Sequence, residues 1–259
     1  MSIILVNYNN TNDTIRCLNS LKYQTYDDYE ILIVDNSSND ENKNLLTKFL
    51  TSIKKETIFF NKIKIIYSNL NLGYGGGNNL GIRNSKGEII LLLNSDTIHS
   101  VSFLKTMIKF FEKYKFIHIA QPLIYYFKEK NKIWCNGYKY YKYSLFLYKN
   151  LNFIDRAVIN KPYRIDIADG CAFFIRRDVL KEIGLLENIF HIYGEIGDIC
   201  YRARLNGYNN IYCNPLTEIY HDIQPGFSDL HKQYFFRNRM ILFLKHFSIP
   251  LILAQSIIQ

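Results

Sequence analysis

The feature that most constrains this chain is the rhythm of its first half. Short apolar runs, many of them β-branched, at 3–6, 30–34, 63–67, 89–93 and 117–120 alternate with helix-period stretches at 12–23, 40–55, 76–84 and 102–114. Strands separated by helices of this length pair in parallel, so the reading is an α/β fold with a mostly parallel central sheet. Three of the runs end in polar turns: Asn7-Tyr8-Asn9, Asp35-Asn36-Ser37-Ser38 and Asn94-Ser95-Asp96. Open α/β sheets bind ligands outside the carboxyl ends of their strands. Three such turns on one edge of one sheet frame a nucleotide-sized crevice. The sharpest is the apolar run Leu91-Leu92-Leu93, which stops at Asn94-Ser95-Asp96. Taken alone, such an aspartate reads as a loop residue or a helix cap, and its neighbours must decide.

The chain has 259 residues, 48% of them hydrophobic, enough to bury a large core. Residues 1–225 read as one domain and 226–259 as a helical tail. Between about 125 and 163 the sequence turns aromatic and lysine-rich, which reads as an irregular insertion or hairpin flanking the site. A strand at 171–175 resumes the sheet, and a helix follows with Asp178 as its N-cap and Gly184 as its stop. From 235 to 259 the tail mixes Arg237, Arg239, Lys245 and His246 with Phe, Ile and Leu. That pattern fits an amphipathic helix broken at Pro250, packed on the core or lying on a membrane. The sequence ends within an apolar stretch and reads as an excerpt of something longer.

A net charge of +9 suits a polyanion, an anionic membrane surface or a phosphorylated substrate. The basic residues are scattered in Lys-Tyr and Lys-Lys pairs, as over 138–149, with no arginine-rich helix, which sets nucleic acid aside. The five cysteines are far apart and lack the spacing of a zinc site, so they read as free thiols of a reducing compartment. No apolar run reaches the roughly 18 residues that span a bilayer, and no leader precedes the first strand. The expected location is cytoplasmic, with peripheral contact to the inner face of the cell membrane through the tail.

The glycine-rich segment Asn71-Leu72-Gly73-Tyr74-Gly75-Gly76-Gly77-Asn78-Asn79 lacks the Gly-Lys-Ser/Thr ending of a phosphate loop. Its glycines also miss the dinucleotide spacing, and Asp35 precedes the segment where a ribose-binding acid should follow it. Two readings stay open: a tight loop into a helix, or backbone lying against a nucleotide-sugar with a helix start near negative charge.

Taken in order, Val6-Asn7-Tyr8-Asn9, Val34-Asp35-Asn36-Ser37-Ser38, 69–78, Leu92-Leu93-Asn94-Ser95-Asp96, 169–177, 184–207 and His221 resemble the family 2 glycosyltransferases. Within that family the chain is most similar to the rhamnosyltransferase-like branch of bacterial surface-polysaccharide synthesis. The resemblance extends to about Arg239. It implies a GT-A fold, with a Rossmann-like nucleotide-binding half and an acceptor-binding half around one sheet. It also implies an inverting, metal-dependent transfer from a nucleotide-diphosphate sugar, a dTDP- or UDP-sugar, to a glycan or lipid-linked acceptor. The nucleotide-sugar pocket would draw on Val6, Asn7, Tyr8, Asp35, Asn71, Gly73, Gly76, Asn79, Asn94, Ser95 and Asp96. Asp96 matches the last acid of the family's metal motif, whose first position is Asn94 here. Asp96 and His221 would hold Mg²⁺ or Mn²⁺, ions that favour hard oxygen ligands.

The same resemblance places two successive acids before a helix, and an aspartate two residues later. Here Glu195 fills the first position, Ile196 the second and Asp198 the last. Ile196 stands where the family carries its usual base, which leaves Glu195 or a different group to take the acceptor's proton. Asp198 reads as a cap or as the i+4 partner of Arg202. Trp134, Tyr138 and Tyr193 are aromatic candidates for stacking on an acceptor sugar, with core packing as the ordinary alternative. The Ile196 substitution also admits a different class of protein, a catalytically silent module that binds a nucleotide-sugar or a partner enzyme.

Overall fold

The computed structural model describes residues 1–139, 148–149, 160–222 and 228–246. In chain order the elements are β1 (Ser2–Asn7), α1 (Thr11–Lys22), β2 (Glu30–Asn36), α2 (Asp40–Ile53), α3 (Thr57–Phe60), β3 (Ile63–Ser68), α4 (Gly73–Arg83) and β4 (Ile89–Leu93). There follow β5 (Thr97–His99), α5 (Phe103–Lys113), β6 (Ile119–Tyr126), β7 (Ile133–Cys135), β8 (Tyr138–Lys139) and β9 (Tyr148–Lys149). The last are β10 (Tyr163–Arg164), β11 (Ala172–Arg176), α6 (Arg177–Ile183), a 3₁₀ turn (Asn188–Phe190), α7 (Glu195–Leu205), β12 (Ile211–His221) and α8 (Asp229–His246).

One sheet organises the chain, in the order β10-β12-β6-β11-β4-β1-β2-β3, with β5 paired to β12 and β7 to β6. β3, β2, β1 and β4 run parallel, and β12 runs parallel to β6. β11 is antiparallel to both β4 and β6, so those two share a direction and the sheet is mostly parallel. Side chains alternate across it as strand geometry requires. Ile3, Leu5, Ile31, Ile33, Leu91 and Leu93 face one core with Leu18 and Leu21 of α1, Leu46 of α2 and Phe103, Met107 and Phe111 of α5. Ile4, Leu32, Val34, Ile90 and Leu92 face the other, with Ile82 of α4, Leu180 of α6 and Ile199 of α7. Burial on both faces explains why these strands are unbroken apolar runs rather than alternating ones.

α1 and α2 lie on one face and α4 on the other, so the chain changes sides as it passes from β3 to β4. β4 then docks on the far side of β1. That reversal between β1 and β4 is the topological switch point at which α/β sheets open a ligand crevice.

The glycine-rich segment corrects one expectation. Gly73 to Gly77 form the first turns of α4, three residues before the expected helix start, and their glycines are buried. Glycine is a poor helix former, and close packing is what selects it here. A Cβ on Gly81 would stand 2.3 Å from Ile4 Cγ2, and one on Gly77 2.9 Å from Val6 Cγ1. Asp178 sits in the first turn of α6 rather than at its cap, which Arg176 occupies, whereas Gly184 ends the helix at φ 81° as expected. The tail helix begins earlier than its amphipathic pattern suggested, at Asp229, and buries Asn238, Leu242 and Phe243. Pro250 and the rest of the 247–259 stretch lie outside the described residues, as does most of the 140–159 insertion.

Candidate active site

At the carboxyl ends of β1 and β2, Asn7 is paired in register with Asp35. Asn7 is fully buried and acts as a hub. Its Nδ2 donates to Asp35 Oδ2 (3.2 Å), Thr11 Oγ1 (3.1 Å) and Ser38 Oγ (3.3 Å), and its Oδ1 accepts from Thr14 Oγ1 (3.0 Å). Asp35 is also fully buried, and its Oδ1 accepts from the Ser38 backbone N–H. Neither side chain presents open surface to a nucleotide, unlike Tyr8, which is 48% exposed.

The residues of the glycine segment make hydrogen bonds within the protein. Asn71 Oδ1 accepts from the Gly73 N–H and from Asn36 Nδ2, which ties the start of α4 to the end of β2. Asn79 is buried, and its amide bonds the backbone of Leu186 in both directions. A Cβ on Gly73 would strike the His191 carbonyl, and one on Gly76 would strike Leu72. Val6 packs against Gly77.

At the end of β4, Asn94, Ser95 and Asp96 are half-buried. The Asn94 N–H donates to the Cys171 carbonyl, so the Asp169-Gly170 turn before β11 sits at the same edge. β5 then folds back onto β12 in a register that sets His221 opposite Thr97. His221 Nε2 thereby comes within 3.1 Å of Asp96 Oδ1. No hydrogen bond joins them, since Asp96 Oδ1 is buried without a hydrogen-bond partner among the described residues, and the other ring nitrogen, His221 Nδ1, is likewise buried without one. An oxygen and a ring nitrogen that face each other unbonded are a donor set that a divalent cation fits. Among the described residues no third His, Cys, Asp or Glu joins them as a ligand group, so the rest of a cation's shell would come from substrate and water. Asp222 continues the cluster, with its N–H on the Asp96 carbonyl and its Oδ2 held 2.8 Å from Arg16.

Glu195 opens α7 and is 2% exposed. Its Oε2 lacks a hydrogen-bond partner among the described residues. Burial pushes the carboxyl up to about 7, against the pull of the nearby Glu195 and Tyr193 backbone N–H groups. A base poised near neutrality is what proton abstraction from a hydroxyl requires. Ile196 turns the other way, into the core, where its Cγ1 lies 3.1 Å from where a Gly170 Cβ would be. Tyr74 donates to the Gly170 carbonyl at 2.7 Å, so the Asp169-Gly170 turn is tied to α4 as well as lying against Ile196 at the start of α7.

Asp198 is fully buried and bound by Arg202 Nε (2.7 Å), His246 Nε2 (2.7 Å) and Lys245 Nζ (2.8 Å). Burial would raise its carboxyl, but these hydrogen bonds lower it to about 2. The i+4 pair with Arg202 is therefore real, and no side-chain cap forms on α7. Of the aromatic candidates, Tyr138 places its hydroxyl on Asp169 Oδ2, Trp134 meets the His221 ring edge-on at 5.7 Å, and Tyr193 meets His231 and Phe235 of α8. Sequence reasoning missed Arg16, Asp222 and Asn238. The first two are joined by a contact across 206 residues that no local pattern announces.

The fold has known counterparts. The structure of GalNAc-T7 with UDP, GalNAc and Mn²⁺ superposes with a TM-score of 0.70 at 21% identity, covering 90% of this chain and 47% of that one. The Pyrobaculum calidifontis mannosyltransferase PcManGT, in complex with GDP-Man and Mn²⁺, gives 0.66 at 13% identity over 98% of this chain and 67% of that one. Both are GT-A proteins, and that is the fold of this chain. In sequence, the low-salt glycan biosynthesis hexosyltransferase Agl10 of Haloferax volcanii is 27% identical over 251 residues, 93% of this chain and 74% of the relative. An uncharacterized glycosyltransferase of Nostoc is 31% identical over 112 residues, of which this chain spans only 33% of the relative's length. A model of glycosyl transferase family 2 matches residues 2–184, more than two-thirds of the sequence, and on that match the chain belongs to glycosyl transferase family 2.

Proposed function

We propose that this chain is an inverting glycosyltransferase that moves a sugar from a nucleotide-diphosphate donor to a glycan or lipid-linked acceptor in surface-polysaccharide synthesis. The observation that carries the reading is Glu195: a buried carboxylate with one unpartnered oxygen, held near neutrality at the edge that also carries Asp96 and His221. In the step envisaged, the acceptor hydroxyl oxygen attacks the anomeric carbon and Glu195 takes its proton. The bond from that carbon to the diphosphate breaks on the opposite face, so configuration inverts. Asp96 and His221 would hold Mg²⁺ or Mn²⁺, which would offset the charge of the departing diphosphate. Relatives solved with UDP and with GDP-mannose support a nucleotide-sugar donor, and dTDP- or UDP-sugars head the panel to test.

Donor turnover with Mn²⁺ across UDP-, dTDP- and GDP-sugars tests the reading. Turnover that chelation abolishes, that Mn²⁺ restores and that Asp96→Ala removes is the expected result. Nucleotide binding without turnover on any donor and acceptor would favour a silent module instead, the reading that the core-packed Ile196 supports. Among the described residues no helix is long and apolar enough to cross a membrane. α8 nevertheless exposes Phe236, Met240 and Leu244 along one face at four-residue spacing, which supports peripheral contact of a cytoplasmic protein with the inner membrane face. Flotation with anionic vesicles reads that contact directly.

A further inference from the structure

The segment that delivers Glu195 is bent in an unusual way. His191, Tyr193 and Gly194 all have positive φ, at 61°, 66° and 103°. Side-chain-bearing residues avoid this region, and such conformations persist only where the surroundings over-determine them. At its start the Tyr74 N–H holds the His191 carbonyl, and at its centre stands one residue of the tail helix. Asn238 is 1% exposed, and its Nδ2 lies 2.6, 2.7 and 2.7 Å from the carbonyls of Phe190, Ile192 and Tyr193. Its own Oδ1 accepts from Arg237 Nε at 2.9 Å, which fixes the amide's orientation. Arg237 also donates to the Ile189 carbonyl at 2.6 Å. A Cβ on Gly194 would meet Phe190 at 2.9 Å and Asn238 Cβ at 3.3 Å, so the loop is pressed between them.

α8 is anchored along the same helix it serves. Leu242 packs against Gly197, and Lys245 and His246 bind Asp198. The first turn of α7 is thus held by α8, which lies beyond the 2–184 stretch that the family match covers.

We propose that Asn238 is a positioning residue: by gathering the three carbonyls of the 190–193 bend, it sets the direction in which the Glu195 carboxylate faces the reacting edge. The inference rests on Glu195 being the base. The Asn238 amide bonds backbone carbonyls and Arg237 rather than the Glu195 carboxylate, and it acts through the backbone. Asn238→Asp keeps the volume and removes both donor hydrogens, so the carbonyls lose their partner.

The test measures kcat, donor KM, the acidic limb of the kcat–pH profile and backbone amide exchange over 190–195, in wild type, Asn238→Asp, Arg237→Ala and Glu195→Gln. The expected result for Asn238→Asp is a fall in kcat of about 10-fold or more, donor KM within about twofold, a displaced acidic limb and faster exchange over 190–195. Arg237→Ala, which loosens the same amide from the surface, should move each readout less and in the same direction. It carries the test if Asn238→Asp does not fold. Folded variants with wild-type exchange and an unmoved pH limb overturn the proposal. If Glu195→Gln retains turnover, the base assignment has failed instead; a dead Glu195→Gln beside silent Asn238 and Arg237 variants means that the clamp alone has failed.

Discussion

Two groups of polar side chains stand at the same edge of the sheet in opposite states. Around Asn7 and Asp35, at the ends of β1 and β2, both side chains are engaged by the protein itself. Around Asp96, His221 and Glu195, buried oxygens and a ring nitrogen lack hydrogen-bond partners among the described residues. Buried polar atoms are ordinarily bonded, because leaving one bare costs about 1–3 kcal/mol. The first group therefore lowers the energy of the folded chain, while the second raises it and leaves atoms free for a cation and a substrate proton. The difference separates framework from chemistry within one crevice.

The largest expected effect tests the second group. Glu195→Gln should lower kcat by a factor of about 10²–10⁴, the range of a lost general base. A carboxyl raised to about 7 is costly to ionise, and that cost is present above its folded value. The amide removes it, so the melting midpoint at pH 8 should equal or exceed that of wild type. In the unaltered protein, kcat should fall about tenfold per pH unit on the acid side of 7. A variant that loses stability rather than turnover would erase the distinction between the two groups.

The next effect belongs to the framework. Asn7→Ala removes four hydrogen bonds, one of them to a buried carboxylate, at a cost of about 2–4 kcal/mol. Denaturant titration should show that loss, while kcat per folded molecule stays within about twofold at saturating donor. A collapse of kcat in a folded Asn7→Ala protein would move Asn7 into the chemistry.

Asp198 offers a smaller test of the framework's reach into α8. Its folded carboxyl, at about 2, lies below the ordinary 3.8, so it contributes stability above that ordinary value and loses it as pH falls through about 2. The contribution is on the order of 2 kcal/mol. Asp198→Asn should flatten the acid side of the stability–pH curve over that window. An unchanged curve would mean that α8 is not bound to α7 through this residue.

How much of this was legible follows from which interactions are local. β1, β2 and β4 announce themselves because strands buried on both faces must be apolar throughout, and the polar turn after each follows from the edge being wet. β12 was not foreseen, because Asn214, Pro215 and Glu218 interrupt its apolar pattern where the register with β6 shifts. The insertion of β11 between β4 and β6, against their direction, is a tertiary choice that its five residues do not encode. The glycines of α4 read as loop because propensity is local, whereas the contacts with Ile4 and Val6 that select them are not. At the site, Asp96, His221 and Glu195 were readable as residue types in order. Their bare atoms were not, because these depend on β5 folding back onto β12 and on the bend that Asn238 gathers.

The smallest expected effect sits between the two groups. Tyr8 follows the buried Asn7 in sequence yet is half open, so it belongs to the framework by position and to the crevice by exposure. Removing a ring of this exposure should change stability by less than about 0.5 kcal/mol. If the ring stacks on the donor base, Tyr8→Ala forfeits a contact worth about 1 kcal/mol, a rise in donor KM of about fivefold with kcat unchanged. Tyr8→Phe should then behave as wild type, since stacking uses the ring and not the hydroxyl. A Tyr8→Phe variant as weak as Tyr8→Ala would show the hydroxyl to be the working group. An unchanged donor KM in both would place the base elsewhere along the edge, and the boundary between framework and chemistry would then fall at Asp96 rather than at Tyr8.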